Sequence, residues 1–402
     1  MVAERTQVAI VGAGPAGLLL GQLLHRHGVD AVVLEARDRE YVEARIRAGL
    51  LEQGTTATLR EAGVGERLDR EGLVHGGIYL NFGGRRHRVA MSELTGGRTV
   101  TVYGQTEVVK DLIAARLASG ARLHFQSSEV SIDGLETDQP VVRYVQEGQA
   151  RELRCDLIAG CDGYHGVCRP AVPADVLRIW EREYPFAWLG ILAEVAPSTD
   201  ELIYAQHERG FALHSMRSPE ISRLYIQVDL EQDLADWPDA RIWQELHERL
   251  HCDGWSLTEG PITDKSIAPM RSFVAEPMRY RSLLLAGDAA HIVPATGAKG
   301  LNLAVADVTV LADALIARLR GSGSESGLDE YSDRCLERVW RAQHFSWWMT
   351  TMLHNDPDGD DYGRRLQRAQ LEYVASSPAA ATTLAENYVG LPLCEQAMAA
   401  GG

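Results

Sequence analysis

Two hydrophobic periods succeed one another along this chain, and their order predicts its architecture. Residues 7–11 form a short apolar run read as a buried strand. Gly12-Ala13-Gly14-Pro15-Ala16-Gly17 follows at once, then an amphipathic helical pattern through about His27. A second apolar run, 31–34, ends in Glu35. From Gly76 to Val89 the period becomes two, with Ile78, Leu80 and Phe82 on one side and Gly83-Gly84 as a hairpin turn. Residues 100–105 predict a strand leading into a helix over 107–119, and strand-like segments continue through the run 153–160. The block 181–267 predicts strands at 186–192, 201–206, 210–217 and 223–228, the second and third forming a pair. An apolar run at 283–286 enters a loop of glycines and small residues, 287–302, that opens a long helical pattern. Residues 328–354 predict a long helix carrying Phe345, Trp347 and Trp348, and 386–392 a loop beyond the last helix.

Composition narrows the partners. At 402 residues, 45% hydrophobic and 24% charged, the chain has the make-up of a globular protein with more than one substructure. A formal net charge of −16 argues against a nucleic-acid backbone or an anionic membrane as partner. No apolar run approaches the roughly 20 residues that span a bilayer, and the N-terminus leads into a strand, not a signal peptide. Six cysteines without a C-x-x-C pair read as reduced thiols of a cytoplasmic protein, with no disulfide framework and no metal site. The glycine- and serine-rich run 321–327 reads as a surface loop between helices.

Glycines 12, 14 and 17 between two apolar runs make the dinucleotide-binding fingerprint in its required setting. Gly12 permits a tight turn, Gly14 lets backbone approach a pyrophosphate, and Gly17 allows close packing of helix on strand. Glu35, 18 positions beyond Gly17, is placed to accept hydrogen bonds from a ribose. Arg45 and Arg47 suit either a diphosphate or the solvated face of a helix. The loop 287–302 offers a second cradle, with glycine backbone and a helix start facing a ligand. The predicted fold is α/β (α+β): a Rossmann-like domain interrupted by an inserted antiparallel sheet and followed by a C-terminal helical region. Its dinucleotide-side segments are 1–74, 98–180 and 268–320. A hairpin over 75–97 and a sheet over 181–267 wall a cleft, and 321–402 is helical and suited to an interface.

Three motifs in order, G-x-G-x-x-G at 12–17, Cys161-Asp162-Gly163 and Gly287-Asp288-Ala289-Ala290-His291, resemble those of the single-component flavin aromatic hydroxylases. The runs 45–49, 101–107, 266–269, 345–349 and 386–392 narrow the match to members acting on 4-hydroxybenzoate, over about residues 5–393. The resemblance implies an FAD enzyme that takes hydride from NADPH or NADH and uses dioxygen, through a flavin hydroperoxide. It would hydroxylate 4-hydroxybenzoate ortho to its hydroxyl, giving 3,4-dihydroxybenzoate, and work as a homodimer.

The resemblance also places Gly12, Gly14, Gly17, Glu35, Arg45, Arg47, Gln105, Asp162, Asp288, Gly300, Leu301 and Asn302 around FAD. His165, Arg271 and Arg37 would meet the nicotinamide nucleotide, a capped loop and a surface ion pair being the lesser reading of the first two. Ser215, Arg217 and Tyr225 match a clamp for the substrate carboxylate, and the strand pattern puts Ser215 and Arg217 on one face. Tyr204 would meet the substrate hydroxyl, Tyr388 relay its proton and His75 pass it to solvent, a role suited to a pKa near neutrality. Trp188, Leu50, Pro294, Ala295 and Thr296 would line the ring.

Departures from the family pattern bear on the substrate. Pro294-Ala295 stands where two prolines are usual, Leu50 replaces a usual valine, and His214, Met216 and Leu224 differ near the clamp. They suggest a pocket reshaped for a ring-substituted substrate such as 3-amino-4-hydroxybenzoate, in secondary metabolism. The segment 36–40 also departs: Asp38 and Glu40 oppose a ribose 2′-phosphate and Arg37 and Arg39 favour one, leaning toward NADH or use of both.

Overall fold

The computed structural model describes residues 2–45 and 49–392. The first apolar run forms the buried strand Val8–Val11 at the centre of a six-stranded sheet. Its order is Arg279–Tyr280, Leu283–Leu285, Leu157–Gly160, Val8–Val11, Ala31–Leu34, Leu123–His124. All pairs are parallel except the outermost, Arg279–Tyr280 with Leu283–Leu285. Continuous apolar strands are what a parallel sheet covered on both faces requires. Helix Pro15–Arg26 is buried from Ala16 to Leu24 and is not amphipathic as its sequence suggested. The reason is its position between helices Gln105–Ala118 and Gly300–Leu319.

Two readings along this domain are corrected. The run 153–160 is not one strand: Gln149–Arg154 joins a four-stranded sheet with Val2–Arg5, Val141–Gln146 and Ser128–Asp133, and Leu157–Gly160 joins the parallel sheet. The chain changes sheet at Cys155-Asp156. In addition, helix Gly300–Leu319 is long and apolar enough to cross a membrane by length and composition alone. Its polar Asn302, Asp307 and Asp313 hid that in the sequence. It is mostly buried, packed on helices Pro15–Arg26 and Tyr331–Leu353 as a core helix is.

The second large sheet has eight strands, ordered His291–Ile292, Ile262–Glu276, Arg178–Ala193, Ile221–Val228, Ala212–Ser218, Ile203–Gln206, Ile78–Phe82, Arg85–Val89. The hairpin 78–89 adds to its edge by parallel pairing with Ile203–Gln206. The expected boundaries at 180/181 and 267/268 fall inside strands Arg178–Ala193 and Ile262–Glu276, which pair along most of their length. Residues 178–183 are exposed and largely charged, so no apolar pattern marked them. A helix the strand reading missed, Asp239–Leu250, lies in the same block.

Register makes this sheet two-sided. Leu189 and Ile191 stand beside Ile226 and Leu224, which stand beside Ala212 and His214. That face packs on Ile242, Trp243, Leu246 and Leu250 of helix Asp239–Leu250. His214 on this face accepts the Ser198 amide through Nε2 at 3.1 Å and meets Trp255 edge-on. Burial, with Arg86 nearby, presses its pKa from 6.5 to about 4. Between those values the unfolded chain binds a proton there that the folded chain does not. The stability present above pH 6.5 is therefore lost as pH falls toward 4. The melting temperature is expected to drop across that window, and to drop less in His214→Gln; an identical profile would remove His214 as a cause.

The C-terminal region comprises helices Tyr331–Leu353, Asp361–Ser376 and Pro378–Val389. Ser377 caps the last helix and Pro378 opens it, so residues 386–389 are its final turn, not a loop beyond it.

Candidate active site

At the C-terminal end of strand Val8–Val11, Gly12 turns with φ 104°. A Cβ on Gly17 would lie 2.0 Å from the Gly12 carbonyl oxygen, whereas one on Gly14 would meet nothing within 4 Å. Gly14 opens helix Pro15–Arg26, whose first amides have no side-chain cap. Glu35 braces this turn, its Oε2 accepting the Ala13 amide at 2.8 Å and its Oε1 the Arg37 amide at 2.9 Å. Closed packing at Gly17 beside open space at Gly14 is the shape a pyrophosphate cradle needs. Gly17→Ala is expected to force the helix off the strand, raising the FAD dissociation constant at least about 10-fold, because overpacking costs about 1–3 kcal/mol. Flavin fluorescence titration of apoprotein would show it; wild-type affinity would refute it.

The second cradle forms as the loop 287–302 folds. Asp288 is exposed, and Gly300, at the uncapped start of helix Gly300–Leu319, also has open space where a Cβ would be. Leu301 beside it is half-buried. Asn302 is committed inside the protein. It donates to the carbonyls of Leu50 and Ala298 at 2.9 Å each and accepts from the Glu52 amide and the Thr55 hydroxyl at 2.9 and 2.7 Å. Its side chain thus ties the 50–55 segment to the loop, leaving only its backbone for a ligand. The turn bearing Asp288 is held by a pair that sequence reading missed: buried Asp307 accepts the Gly287 amide at 2.9 Å and lies 2.6 Å from His291 Nε2. The two residues face each other across elements 16 positions apart, a separation with no local signature.

Around these cradles, Arg45 is exposed and its carbonyl accepts from Thr106 at 2.9 Å, beside half-buried Gln105. Arg47 lies outside the described residues. Asp162 Oδ2 accepts the Cys168 amide at 2.8 Å, and its Oδ1 is buried without a hydrogen-bond partner among the described residues. Open glycine positions at two uncapped helix starts, braced by Glu35 and flanked by Asp288, fit FAD.

Tyr164 gathers the proposed nicotinamide residues. His165 meets its ring edge-on at 4.9 Å and the Arg271 guanidinium stacks on it at 4.8 Å. Arg271 also lies 3.6 Å from Glu181 and 3.8 Å from Glu183. Exposed Arg37 stacks on Tyr41 at 5.2 Å. Asp38 caps the helix that begins at Arg39, and Arg39 pairs with Glu43 at 2.7 Å.

The other face of the eight-stranded sheet carries the substrate candidates. Trp188 stands beside Gln227, Tyr225 beside Leu213, and Leu213 beside Tyr204, so all share one side with Ser215. Arg217 follows at a register shift between Met216 and Ser218, a bulge that re-aims a side chain. A Cβ on Gly104 would lie 2.2 Å from the Arg217 Cζ, so that glycine makes room for the guanidinium. Arg223, also missed, stands opposite Ser215 and over the Tyr225 ring at 4.9 Å. Its two-residue spacing from Tyr225 was the available signal. Among the departures, His214 and Leu224 sit on the opposite, helix-covered face, because they are one residue out of phase with the clamp. They therefore do not shape this side.

Leu50, Trp188, Tyr204, Leu213, Tyr225 and Tyr388 pack in one apolar cluster. The Tyr204 and Tyr388 hydroxyls are 2.7 Å apart, both residues are buried, and burial pushes both phenol pKa values up. His75, buried, lies on a small sheet with Leu50–Leu51 and Val100–Val102, and its Nδ1 has no hydrogen-bond partner among the described residues. Burial lowers its pKa against the pull of Glu201 and Asp200. Pro294 and Thr296 are buried and Ala295 is exposed; the Ala295 carbonyl accepts the Ala298 amide at 2.9 Å. Buried Lys299, unanticipated, donates to Glu52 at 2.6 Å and to the Tyr388 carbonyl at 2.9 Å, and Arg338 reaches the same Glu52 at 3.0 Å. This network holds the turn that presents Tyr388.

Residues 5–346 match the family described as FAD binding domain. The p-hydroxybenzoate hydroxylase of Acinetobacter baylyi is 52% identical over 98% of this chain and 97% of that one. Kynurenine 3-monooxygenase of Salinispora tropica is 26% identical over 78% of this chain and 73% of its own length. The crystal structure of p-nitrophenol 4-monooxygenase from Pseudomonas putida shares the fold, with TM-score 0.83 at 19% identity over 98% of this chain and 100% of that one. The chain is an enzyme of the single-component FAD-dependent aromatic hydroxylases, a family whose members bind FAD and use NAD(P)H, dioxygen and an aromatic substrate.

Proposed function

We propose that this enzyme hydroxylates 4-hydroxybenzoate ortho to its hydroxyl, giving 3,4-dihydroxybenzoate. The observation that carries the reading is the buried Tyr204–Tyr388 hydrogen bond on the sheet face that also bears Ser215 and Tyr225, with Arg217 at the bulge that follows. One end of that face suits a carboxylate and the other a phenol. Its 52% identity to a p-hydroxybenzoate hydroxylase supports the same substrate.

Gly12, Gly14, Gly17, Glu35, Arg45, Gln105, Asp288 and the start of helix Gly300–Leu319 would hold FAD. FAD held there would supply the acceptor for hydride from NAD(P)H and the activation of dioxygen for transfer to the ring. The protein contributes the rest. Arg217, with Ser215 and Tyr225, anchors the carboxylate by charge-assisted hydrogen bonds. Tyr204 holds the phenolic oxygen and hands its proton to Tyr388; raised pKa values keep both tyrosines protonated, so they relay a proton without storing charge. His75, kept neutral near pH 7 by burial, is able to accept that proton and deliver it to solvent. Removing the proton makes the ring carbon ortho to the oxygen more nucleophilic. Buried Leu50, Trp188, Pro294 and Thr296 exclude water from the ring, and Ala295 completes its lining.

His165, Arg271 and Arg37 would meet the nicotinamide nucleotide, and the opposed charges of exposed Arg37 and Glu40 support use of NADH or of both nucleotides. A homodimer is proposed on the exposed Trp340, Trp347, Leu366 and Tyr373 of the C-terminal helices, and a cytoplasmic site on the free cysteines and the NAD(P)H requirement. Product identification with 4-hydroxybenzoate and 3-amino-4-hydroxybenzoate, each with NADH and with NADPH, tests the reading. Reductant oxidation with 4-hydroxybenzoate but no dihydroxy product would overturn it.

A further inference from the structure

We propose that His354 is a positioning residue for substrate recognition, fixing the Trp188 indole as a wall of the aromatic-acid pocket and tying that wall to Thr296 at the far side. The inference rests on the pocket assignment above and extends it to a residue outside the pocket. Trp188 Nε1 donates to His354 Nε2 at 2.6 Å, and His354 Nδ1 lies 3.0 Å from the Thr350 carbonyl. A carbonyl only accepts and an indole N–H only donates, so both contacts are satisfied by one neutral tautomer. Its ring stacks between Phe186 at 4.7 Å and Phe211 at 4.3 Å. Burial presses its pKa down to about 3, so the ring stays an acceptor at working pH.

Trp188 also meets Tyr225 of the proposed carboxylate clamp, the two rings 4.8 Å apart. Without an acceptor at His354 the buried indole N–H would be unsatisfied, and the ring would turn to find another. The histidine itself is placed by the same helix end. Thr350, one turn earlier, donates to the Thr296 hydroxyl at 3.0 Å. Asn355, the next residue, exchanges two hydrogen bonds with Gln227, its amide donating at 3.1 Å and its carbonyl accepting at 2.6 Å. Gln227 in turn pairs with Trp188 across the sheet. One turn of helix Tyr331–Leu353 and its exit thus set Thr296, His354 and Trp188 together, so the two sides of the ring pocket cannot move independently.

The test uses FAD-loaded enzyme, with the dissociation constant of 4-hydroxybenzoate read from the flavin absorbance change and coupling read as product formed per NAD(P)H oxidised. His354→Phe keeps bulk and stacking but removes the acceptor. It should weaken 4-hydroxybenzoate binding by about 10-fold and lower coupling, with FAD affinity unchanged. His354→Gln, whose amide oxygen can accept from Trp188, should recover most of the binding. Trp188→Phe removes the donor, so adding His354→Phe to it should cost no more. Wild-type affinity and coupling in His354→Phe, or an undiminished His354→Phe effect in the Trp188→Phe background, would overturn the proposal. If His354→Phe does not fold, His354→Asn, too short to reach the indole, takes its place with the same expected and overturning outcomes. Failure of wild-type enzyme to bind 4-hydroxybenzoate would instead strike the substrate reading.

Discussion

Replacing Arg217 with glutamine is expected to raise the KM for 4-hydroxybenzoate by about two to three orders of magnitude. The guanidinium lies against Gly104 at the end of strand Ala212–Ser218, desolvated enough that burial lowers its pKa against the opposing pull of Glu107. A carboxylate held there exchanges water for charge-assisted bonds in a poorly screened setting. Truncating one partner of such a pair costs about 2–5 kcal/mol, or about 30- to several-thousand-fold in affinity. Lysine should rescue only partly, since it keeps the charge and loses the planar fork. Gly104→Ala offers an independent check: its methyl would lie 2.2 Å from the Arg217 Cζ, so it should impair carboxylate binding by displacing the guanidinium while the arginine itself is retained. Steady-state kinetics at several substrate concentrations decide the matter. An unchanged KM in Arg217→Gln would place the carboxylate elsewhere.

Tyr388→Phe should lower hydroxylation by about 10²- to 10³-fold, within the range expected for loss of a positioned proton-transfer group, while 4-hydroxybenzoate still binds. The Tyr204–Tyr388 bond joins two buried hydroxyls 2.7 Å apart. With the second removed, the phenolic proton has no relay, and the reducing equivalents should appear as hydrogen peroxide. Because the two tyrosines act as a unit, Tyr204→Phe combined with Tyr388→Phe should be little worse than either alone. Product yield and peroxide measured together test this. Full coupling in Tyr388→Phe would exclude the relay.

The cofactor side was legible in the sequence because its constraints are local. Gly12, Gly14 and Gly17 act through the backbone of one turn, and the register of strands Val8–Val11 and Ala31–Leu34 follows from short apolar runs. The proposed carboxylate clamp was half legible: the two-residue spacing of Ser215 and Arg217 predicted a shared face, but not the bulge at 216–218 or the space left by Gly104. His214 and Leu224 misled for the same reason. Their nearness to the clamp in sequence concealed that a strand sends alternate residues to opposite faces, and theirs faces helix Asp239–Leu250.

By itself, then, the sequence determined the motifs whose physics spans a few residues: glycine turns, apolar strands, helix starts and alternating faces. Tertiary structure alone decided what depends on meeting across the chain. It brought Asp307 to His291 and Gly287, Lys299 to Glu52 and the Tyr388 carbonyl, and His354 to Trp188 across 166 positions. It also turned residues 386–389 into a helix end that sets Tyr388 against Tyr204. Buried polar groups must find partners wherever the fold puts them, and those partners are chosen by packing in three dimensions, not by spacing along the chain.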